Sequence, residues 1–220
     1  MEALVFAGGE AVDERWVPAL PDPALVVAAD SGLAHARALG RAVDLVVGDF
    51  DSVDPAHLDE AIAAGARVER FPADKDATDL ELAIDAVCRE GATRATVLGT
   101  GGGRLDHFLA SALLLAAPRW SDLEIVALVG PARVTVVRSR AELAGEPGSL
   151  LTLLPLGGPV DGVRTGGLRW PLRGERLDAG TTRGVSNELT EPVATVSLDA
   201  GVLLAVQPDA VPTPPNERGS

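Results

Sequence analysis

Over roughly the first 137 residues, short runs, most of them continuously apolar, alternate with longer Ala/Leu-rich stretches. The runs at 4–7, 25–29, 44–48, 67–71, 95–99 and 125–129 have the look of strands buried on both faces, as in a mostly parallel sheet covered by helices. Helices are expected between them at 32–39, 55–64, 79–89 and 105–117. In the third, Leu80, Ala83, Ile84 and Val87 recur at helical spacing, and Thr78-Asp79-Leu80-Glu81 has the capping-box form that fixes a helix start. Near Gly145-Glu146-Pro147-Gly148 the texture changes. Strand-like runs at 150–154, 160–165, 168–172, 193–198 and 202–206 follow, separated by glycine turns and without helical periodicity, which predicts a small antiparallel sandwich or barrel. The expected organisation is therefore α/β then all-β: a doubly wound, mostly parallel sheet with flanking helices over 1–143, a β-sandwich over 144–208 and a disordered, proline-rich tail over 209–220.

Composition narrows the classes. With 220 residues, 46% of them hydrophobic, the chain can bury one large core or two modest ones. No run of about eighteen apolar residues occurs, and the N-terminus lacks a basic leader, so a cytoplasmic protein without membrane span or signal peptide is expected. The single cysteine, Cys88, allows no intramolecular disulfide and reads as a small core residue. A formal net charge of -13 argues against nonspecific binding to nucleic acid or to anionic membrane. Lys75 is the only lysine, and it lies inside an acidic segment.

The candidate chemistry collects at strand ends, where doubly wound folds place their ligand crevice. Asp30-Ser31-Gly32 follows the second strand, Gly48-Asp49-Phe50-Asp51-Ser52 the third, Asp74-Lys75-Asp76-Ala77-Thr78-Asp79 the fourth, and Gly99-Thr100-Gly101-Gly102-Gly103-Arg104-Leu105-Asp106-His107 the fifth. If the third strand stayed extended, Asp49 and Asp51 would share one face with Phe50 on the other. Two such carboxylates repel unless something positive lies between them, and Mg2+ carrying bound phosphates suits that role. The same residues also suit a solvated turn. The glycine run is neither a Walker loop, which needs Lys and Ser/Thr where Arg104 and Leu105 stand, nor a dinucleotide fingerprint. It remains a cradle of backbone N–H groups with Arg104 aimed at phosphate, or a tight turn beside a surface arginine. His107 is placed to orient Asp106, whereas His35 and His57 are expected on solvated helix faces. Zinc-ligand spacing and a Gly-x-Ser-x-Gly elbow are both missing. In the second half, residues 184–188 read as a turn and Trp170 as core.

Taken together, Ala28-Ala29-Asp30-Ser31-Gly32, Gly48-Asp49-Phe50-Asp51-Ser52, Lys75-Asp76-Ala77-Thr78-Asp79-Leu80-Glu81, Gly102-Gly103-Arg104-Leu105-Asp106-His107, Gly167-Leu168 and Gly184-Val185-Ser186-Asn187-Glu188 resemble the thiamine pyrophosphokinase family, in that order along the chain. The resemblance implies an α/β nucleotide-binding domain and a β-sandwich thiamine-binding domain, paired as a homodimer whose clefts take residues from both subunits. It implies transfer of the pyrophosphoryl group of ATP to the hydroxyethyl oxygen of thiamine, giving thiamine diphosphate and AMP. By the same resemblance Asp49, Asp51 and Asp79 hold Mg2+, and Asp30, Lys75, Asp76, Gly102, Gly103, Arg104 and Asp106 form the ATP site. Ser186 and Asn187 match the thiamine-pocket loop, and either Asp51 or Asp79 would take the hydroxyl proton. Ser31 departs from the family's usual second glycine, and no aromatic follows Ser186-Asn187 to stack on thiamine. The rival readings are a pyrophosphokinase of another alcohol such as a hydroxymethylpterin, a metal-dependent phosphohydrolase, and a noncatalytic nucleotide-binding regulator.

Overall fold

A computed structural model of the protein describes residues 1–102 and 104–211. They fall into two compact units, one comprising Met1–Leu114 and Asp122–Gly130, the other Leu115–Ser121 and Pro131–Val211.

In the first unit, β1 (Glu2–Phe6), β2 (Leu25–Ala29), β3 (Leu45–Gly48), β4 (Arg67–Arg70), β5 (Arg94–Leu98) and β6 (Glu124–Val129) form a parallel array. Their order is β6-β5-β1-β2-β3-β4. The continuously apolar runs are the interior strands: Leu4, Val5 and Phe6 of β1 and Val27 and Ala28 of β2 are fully buried. The outer strand β4 carries charges instead, and its Arg67 and Glu69 pair with Glu90 and Arg89 across the edge. Charged side chains on an edge strand discourage pairing with another chain.

Helices α1 (Gly32–Ala38), α2 (Pro55–Ala63), α3 (Asp79–Arg89) and α4 (Leu105–Leu115) occupy the expected intervals. Asp54 caps α2 by accepting from Ala56 N–H, with Pro55 in the first turn where no N–H is needed. Thr78 Oγ1 caps α3 by accepting from Glu81 N–H at 3.2 Å, and Leu80, Ala83, Ile84 and Val87 form its buried face. These caps matter for the site, because each fixes the exit of an acidic loop.

The second unit is antiparallel. One sheet has the order β12 (Asn187–Glu188), β9 (Leu150–Pro155), β14 (Leu203–Gln207), β7 (Ala132–Val137), and the other the order β11 (Arg173–Leu177), β10 (Val160–Gly166), β13 (Val193–Ser197), β8 (Arg140–Ala144). Leu151, Leu153 and Leu203 from one sheet and Val163, Leu177 and Val196 from the other share a single core, the arrangement of a β-sandwich. The run at 168–172, expected as a strand, is not one. Pro171 cannot donate to a ladder, so Leu168 makes only an isolated bridge to Leu189, and Leu172 N–H turns to Thr165 Oγ1 at 2.8 Å. Strand β11 forms instead over the polar segment that follows. Among the described residues no helix is long and apolar enough to cross a membrane.

Candidate active site

The chain runs from β1 outward through β2, β3 and β4, then returns to place β5 on the other side of β1. That reversal makes the gap between β1 and β5 a topological switch point, where the loops beyond the strand ends diverge and leave a crevice. Here the two loops are tied to one another: Gly9 N–H donates to Gly99 O at 2.7 Å and Glu10 N–H to Gly101 O at 2.6 Å. At Gly9 any Cβ would collide with the carbonyl oxygens of Gly99 and Gly101, so this close approach requires glycine. A cleft of about 740 Å³ lies over the switch point and extends to the ends of β2 and to the segment leading into α3. One flank is α4, which contributes His107, Ala110, Ser111 and Leu114.

Asp30, at the end of β2, organises the acidic part. It is 9% exposed and has a positive φ of 46°; its carboxylate accepts from Phe50 N–H at 3.1 Å and from the Ser52 hydroxyl. Phe50 itself adopts φ 65°, so the chain does not stay extended past β3, as alternation along the strand had implied, but turns sharply. The turn delivers the same two acids by another route. Asp30, Asp49 and Asp51 each offer an oxygen within 4.8 Å of the others, while Phe50 is buried against Ala28, Leu33 and Val46. Arg70 holds the turn from outside, with its guanidinium 4.6 Å from the Phe50 ring centre and a hydrogen bond to Asp49 O at 2.8 Å.

Lys75, the lone lysine, reaches into this group. Its ammonium donates to Asp49 Oδ2 at 2.8 Å and lies 3.0 Å from Asp79 Oδ1, one turn of chain later. The second contact is a charge pair off the line of a hydrogen bond, so Asp79 Oδ1 is buried without a hydrogen-bond partner. The titration properties follow from these contacts. Lys75 and Asp51 N–H hold the Asp49 carboxyl below its ordinary value. The Asp49 charge raises Asp51, with desolvation adding to it. Burial raises Asp79 against the opposing pull of Lys75. Burial alone would lower Lys75, but its two carboxylate partners outweigh it and the ammonium is retained to higher pH. One carboxylate is thus committed to its charge, while two are destabilised as anions until a cation arrives.

A divalent cation fits this chemistry. Three carboxylates converge, their oxygens are the hard donors Mg2+ takes, and a further buried oxygen on Asp79 lacks a hydrogen bond. Acidic groups of this kind also occur without an ion, so the lysine among them and the glycine-rich cleft beside them carry equal weight.

The remaining site candidates are spread more loosely. Gly102 and Arg104 line the cleft. Arg104 pairs with Asp106 at 2.6 Å, which holds Asp106 down to about 2, and both side chains are exposed. Asp76 is exposed on the loop after Lys75. Gly103 lies outside the described residues, as does the tail from 212 onward. His35 is not solvated: its Nδ1 lies 2.9 Å from Ala7 O, bracing the end of β1 from α1. The loop of Gly8, Gly9 and Glu10 was not singled out from the sequence. A Gly-Gly pair after an apolar run signals a turn, and only the strand order reveals that it faces the glycine run after β5.

In the second unit, Ser186 is exposed with φ 56°, and its N–H donates to Thr152 Oγ1 at 3.0 Å. Asn187 is 6% exposed and is occupied internally: Oδ1 accepts from Trp170 N–H and Glu188 N–H at 3.1 and 2.9 Å, and Nδ2 donates to Trp170 O at 2.8 Å. Trp170, expected in the core, is instead 49% exposed, with the Arg169 guanidinium 5.0 Å from its ring centre. Pro171 beside it and the amide clamp from Asn187 hold its backbone and leave the indole outside.

Comparison with known proteins agrees with this geometry. Residues 19–127 match the model of the thiamin pyrophosphokinase catalytic domain, and residues 137–203 that of the thiamin pyrophosphokinase vitamin B1 binding domain. The chain is 24% identical over 194 residues to thiamine pyrophosphokinase of Bacillus subtilis, covering 84% of each. It is 29% identical over 174 residues to thiamine pyrophosphokinase 2 of Arabidopsis thaliana, covering 74% of this chain and 64% of that one. Among solved structures, thiamine pyrophosphokinase from Bacillus subtilis superposes with a TM-score of 0.83 at 22% identity, over 97% of this chain and 100% of the other. A thiamin pyrophosphokinase family protein from Enterococcus faecalis does so with a TM-score of 0.78 at 26% identity, over 94% and 98%. With both domain models matched in order along one chain, the protein belongs to the thiamine pyrophosphokinase family.

Proposed function

We propose that the cleft of the first unit binds ATP with Mg2+ and transfers its pyrophosphoryl group to the hydroxyethyl oxygen of thiamine, giving thiamine diphosphate and AMP. The observation that carries this reading is Lys75 clasped between Asp49 and Asp79, beside the converging carboxylates of Asp30, Asp49 and Asp51. Asp49, Asp51 and Asp79 would hold the metal, with Asp30 fixing the turn that presents the first two. Bound Mg2+ would neutralise charge on the phosphates and polarise the phosphorus under attack.

The chain supplies the rest. Lys75 offers a localised charge whose ammonium is kept protonated by its acidic neighbours, and phosphate oxygens can replace one of those carboxylates as its partner. Arg104 stands on the exposed flank, free to exchange Asp106 for phosphate because both are solvated. Glycine-rich backbone at the ends of β1 and β5 leaves room for the nucleoside part of the substrate to lie close over the strand ends. Asp51 or Asp79, whichever keeps an oxygen clear of the metal, would take the proton of the thiamine hydroxyl. Thiamine is assigned to the second unit's loop at Ser186 and Asn187, where Asn187 acts as the support and Ser186 as the presented group. A homodimer with clefts drawing on both subunits belongs to the same proposal.

An end-point assay with ATP, Mg2+ and thiamine tests it, with products separated by chromatography. Thiamine diphosphate and AMP in equal amounts, dependent on all three components, are the expected result. ADP or free phosphate without thiamine diphosphate would move the reading to a phosphohydrolase. Light scattering on the purified chain should give twice the monomer mass.

A further inference from the structure

Glu10 plays no part in the metal-and-phosphate chemistry above, yet its place in the fold is specific. It follows β1 at the switch point and lines the cleft. Its backbone is pinned to Gly101 O, and its side chain lies against Gly102: a Cβ built on Gly102 would fall 2.5 Å from Glu10 Cβ and 2.8 Å from its Oε2. Gly102 has φ 72°, so both conformation and space demand glycine there. The Glu10 carboxylate, on an exposed side chain, lies at the β1–β5 end of the cleft.

At the other end of the cleft, beyond β2 and ahead of α3, lie Asp30, Lys75 and Asp79, with the acidic turn after β3 beside them. Neighbouring strands are spaced by about 4.8 Å, so roughly 10–14 Å separates the β5–β1 gap from the end of β3. That is the scale of a nucleotide laid across the strand ends. A carboxylate cannot sit against phosphate without a cation between them, so Glu10 excludes the phosphate chain from its own end and fixes which way the nucleotide lies. An ionised carboxylate only accepts hydrogen bonds, so its partner on a nucleoside must be a donor. The vicinal 2′- and 3′-hydroxyls of ribose are two adjacent donors matched to two carboxylate oxygens, the bidentate arrangement a single exocyclic amine cannot give.

We infer that Glu10 is a specificity-determining residue that accepts hydrogen bonds from the ribose diol of the nucleotide and makes the enzyme select ribonucleotides over deoxyribonucleotides. This rests on the ATP-binding reading of the cleft. The test compares ATP, 2′-deoxyATP and 3′-deoxyATP, each with Mg2+, as substrates with thiamine and as ligands in calorimetry without thiamine, for the parent chain and for Glu10→Gln and Glu10→Ala. Hydrogen bonds to a charged group are worth enough that the parent should prefer ATP over each deoxy analogue by at least about tenfold. That preference should fall to within about threefold in Glu10→Ala and to an intermediate value in Glu10→Gln, with KM for ATP rising more than kcat falls. Matching melting temperatures will show that the variants fold.

A parent that does not discriminate, or variants that keep the parent's ratio, would overturn the inference. So would inosine triphosphate binding about tenfold more weakly than ATP to the parent and equally well to Glu10→Ala, since the base amine would then be what Glu10 reads. If the parent binds ATP with ribose discrimination but makes no thiamine diphosphate, the thiamine reaction fails while Glu10 keeps its role. If ATP does not bind at all, both fail.

Discussion

The acidic turn after β3 and the Ser186 loop of the second unit are built on one plan and end in opposite electrostatic states. Each has a non-glycine residue in the left-handed region, Phe50 at φ 65° and Ser186 at φ 56°. Each depends on a buried polar side chain that accepts hydrogen bonds from backbone nearby, Asp30 in one case and Asn187 in the other. Asn187 is neutral and its amide is used on both sides, so its loop is complete as it stands. Asp30 is a carboxylate set beside two more, and its turn holds mutual repulsion that Lys75 only partly offsets. A surface that merely presents groups can be self-sufficient; one that gathers charge for a cation is complete only with its ligand.

The contrast predicts that the acidic turn tolerates substitution in stability but not in function. Asp49→Asn should lower the rate of thiamine diphosphate formation by about 10³-fold, with little change in thermal unfolding, since it removes a charge directed at the ligand. A loss under tenfold would mean that the turn is not where the phosphates bind. The amide loop should behave the other way. Asn187→Ala strands Trp170 and Glu188 backbone groups in a buried place and should cost about 3 kcal/mol of unfolding free energy, read by denaturant titration. If stability were unchanged, water would be substituting for the amide and the parallel with Asp30 would break.

Much of this contrast was legible in the sequence, and the illegible part has a definite cause. Apart from the charged edge strand β4, the runs became strands of the parallel array because strands buried on both faces have little freedom of composition. The acids at 30, 49 and 51 stood out because charge just after such a run has nowhere to go but a strand end, and Asp79 because it opens a capped helix behind the only lysine. Asp30 as the acceptor for Phe50 and Ser52 could not be read, because that bond spans twenty residues and depends on β2 lying next to β3. The Gly8, Gly9 and Glu10 loop was hidden for the same reason: its importance depends on β5 returning to β1. In the second unit the alternation is weaker. The edge strand β11, with the sequence Arg-Gly-Glu-Arg-Leu, lacks apolar alternation, while the apolar 168–172 run fails as a strand because of Pro171.

Two smaller effects sharpen the comparison. Asp51 has its carboxyl raised by the neighbouring Asp49 charge, so the folded chain disfavours the ionised form. That penalty exists above the folded-state value and vanishes at pH below the ordinary 3.8, where both states are protonated. Asp51→Asn should therefore melt slightly above the parent at pH 7 without metal, the gap should close as pH falls toward 3.8, and Mg2+ should reverse the order by stabilising the parent alone. A gap independent of pH would place the effect in packing rather than charge. Smallest of all, Ser186→Gly relieves a left-handed serine but loosens the unfolded chain, so its unfolding free energy should stay within about 1 kcal/mol of the parent.

The solitary lysine carries a consequence for chemical probing. Every other basic side chain apart from histidine is arginine, so amine-directed reagents find one side-chain target, Nζ of Lys75, besides the chain's own α-amino group. The Lys75 side chain is 12% exposed and its nitrogen is held protonated by two carboxylates, and an ammonium has no lone pair with which to attack. Acylation can proceed only in the moments when Asp49 and Asp79 let go. Its rate is then a clock for the opening of the clasp, readable by intact mass on the unlabelled protein.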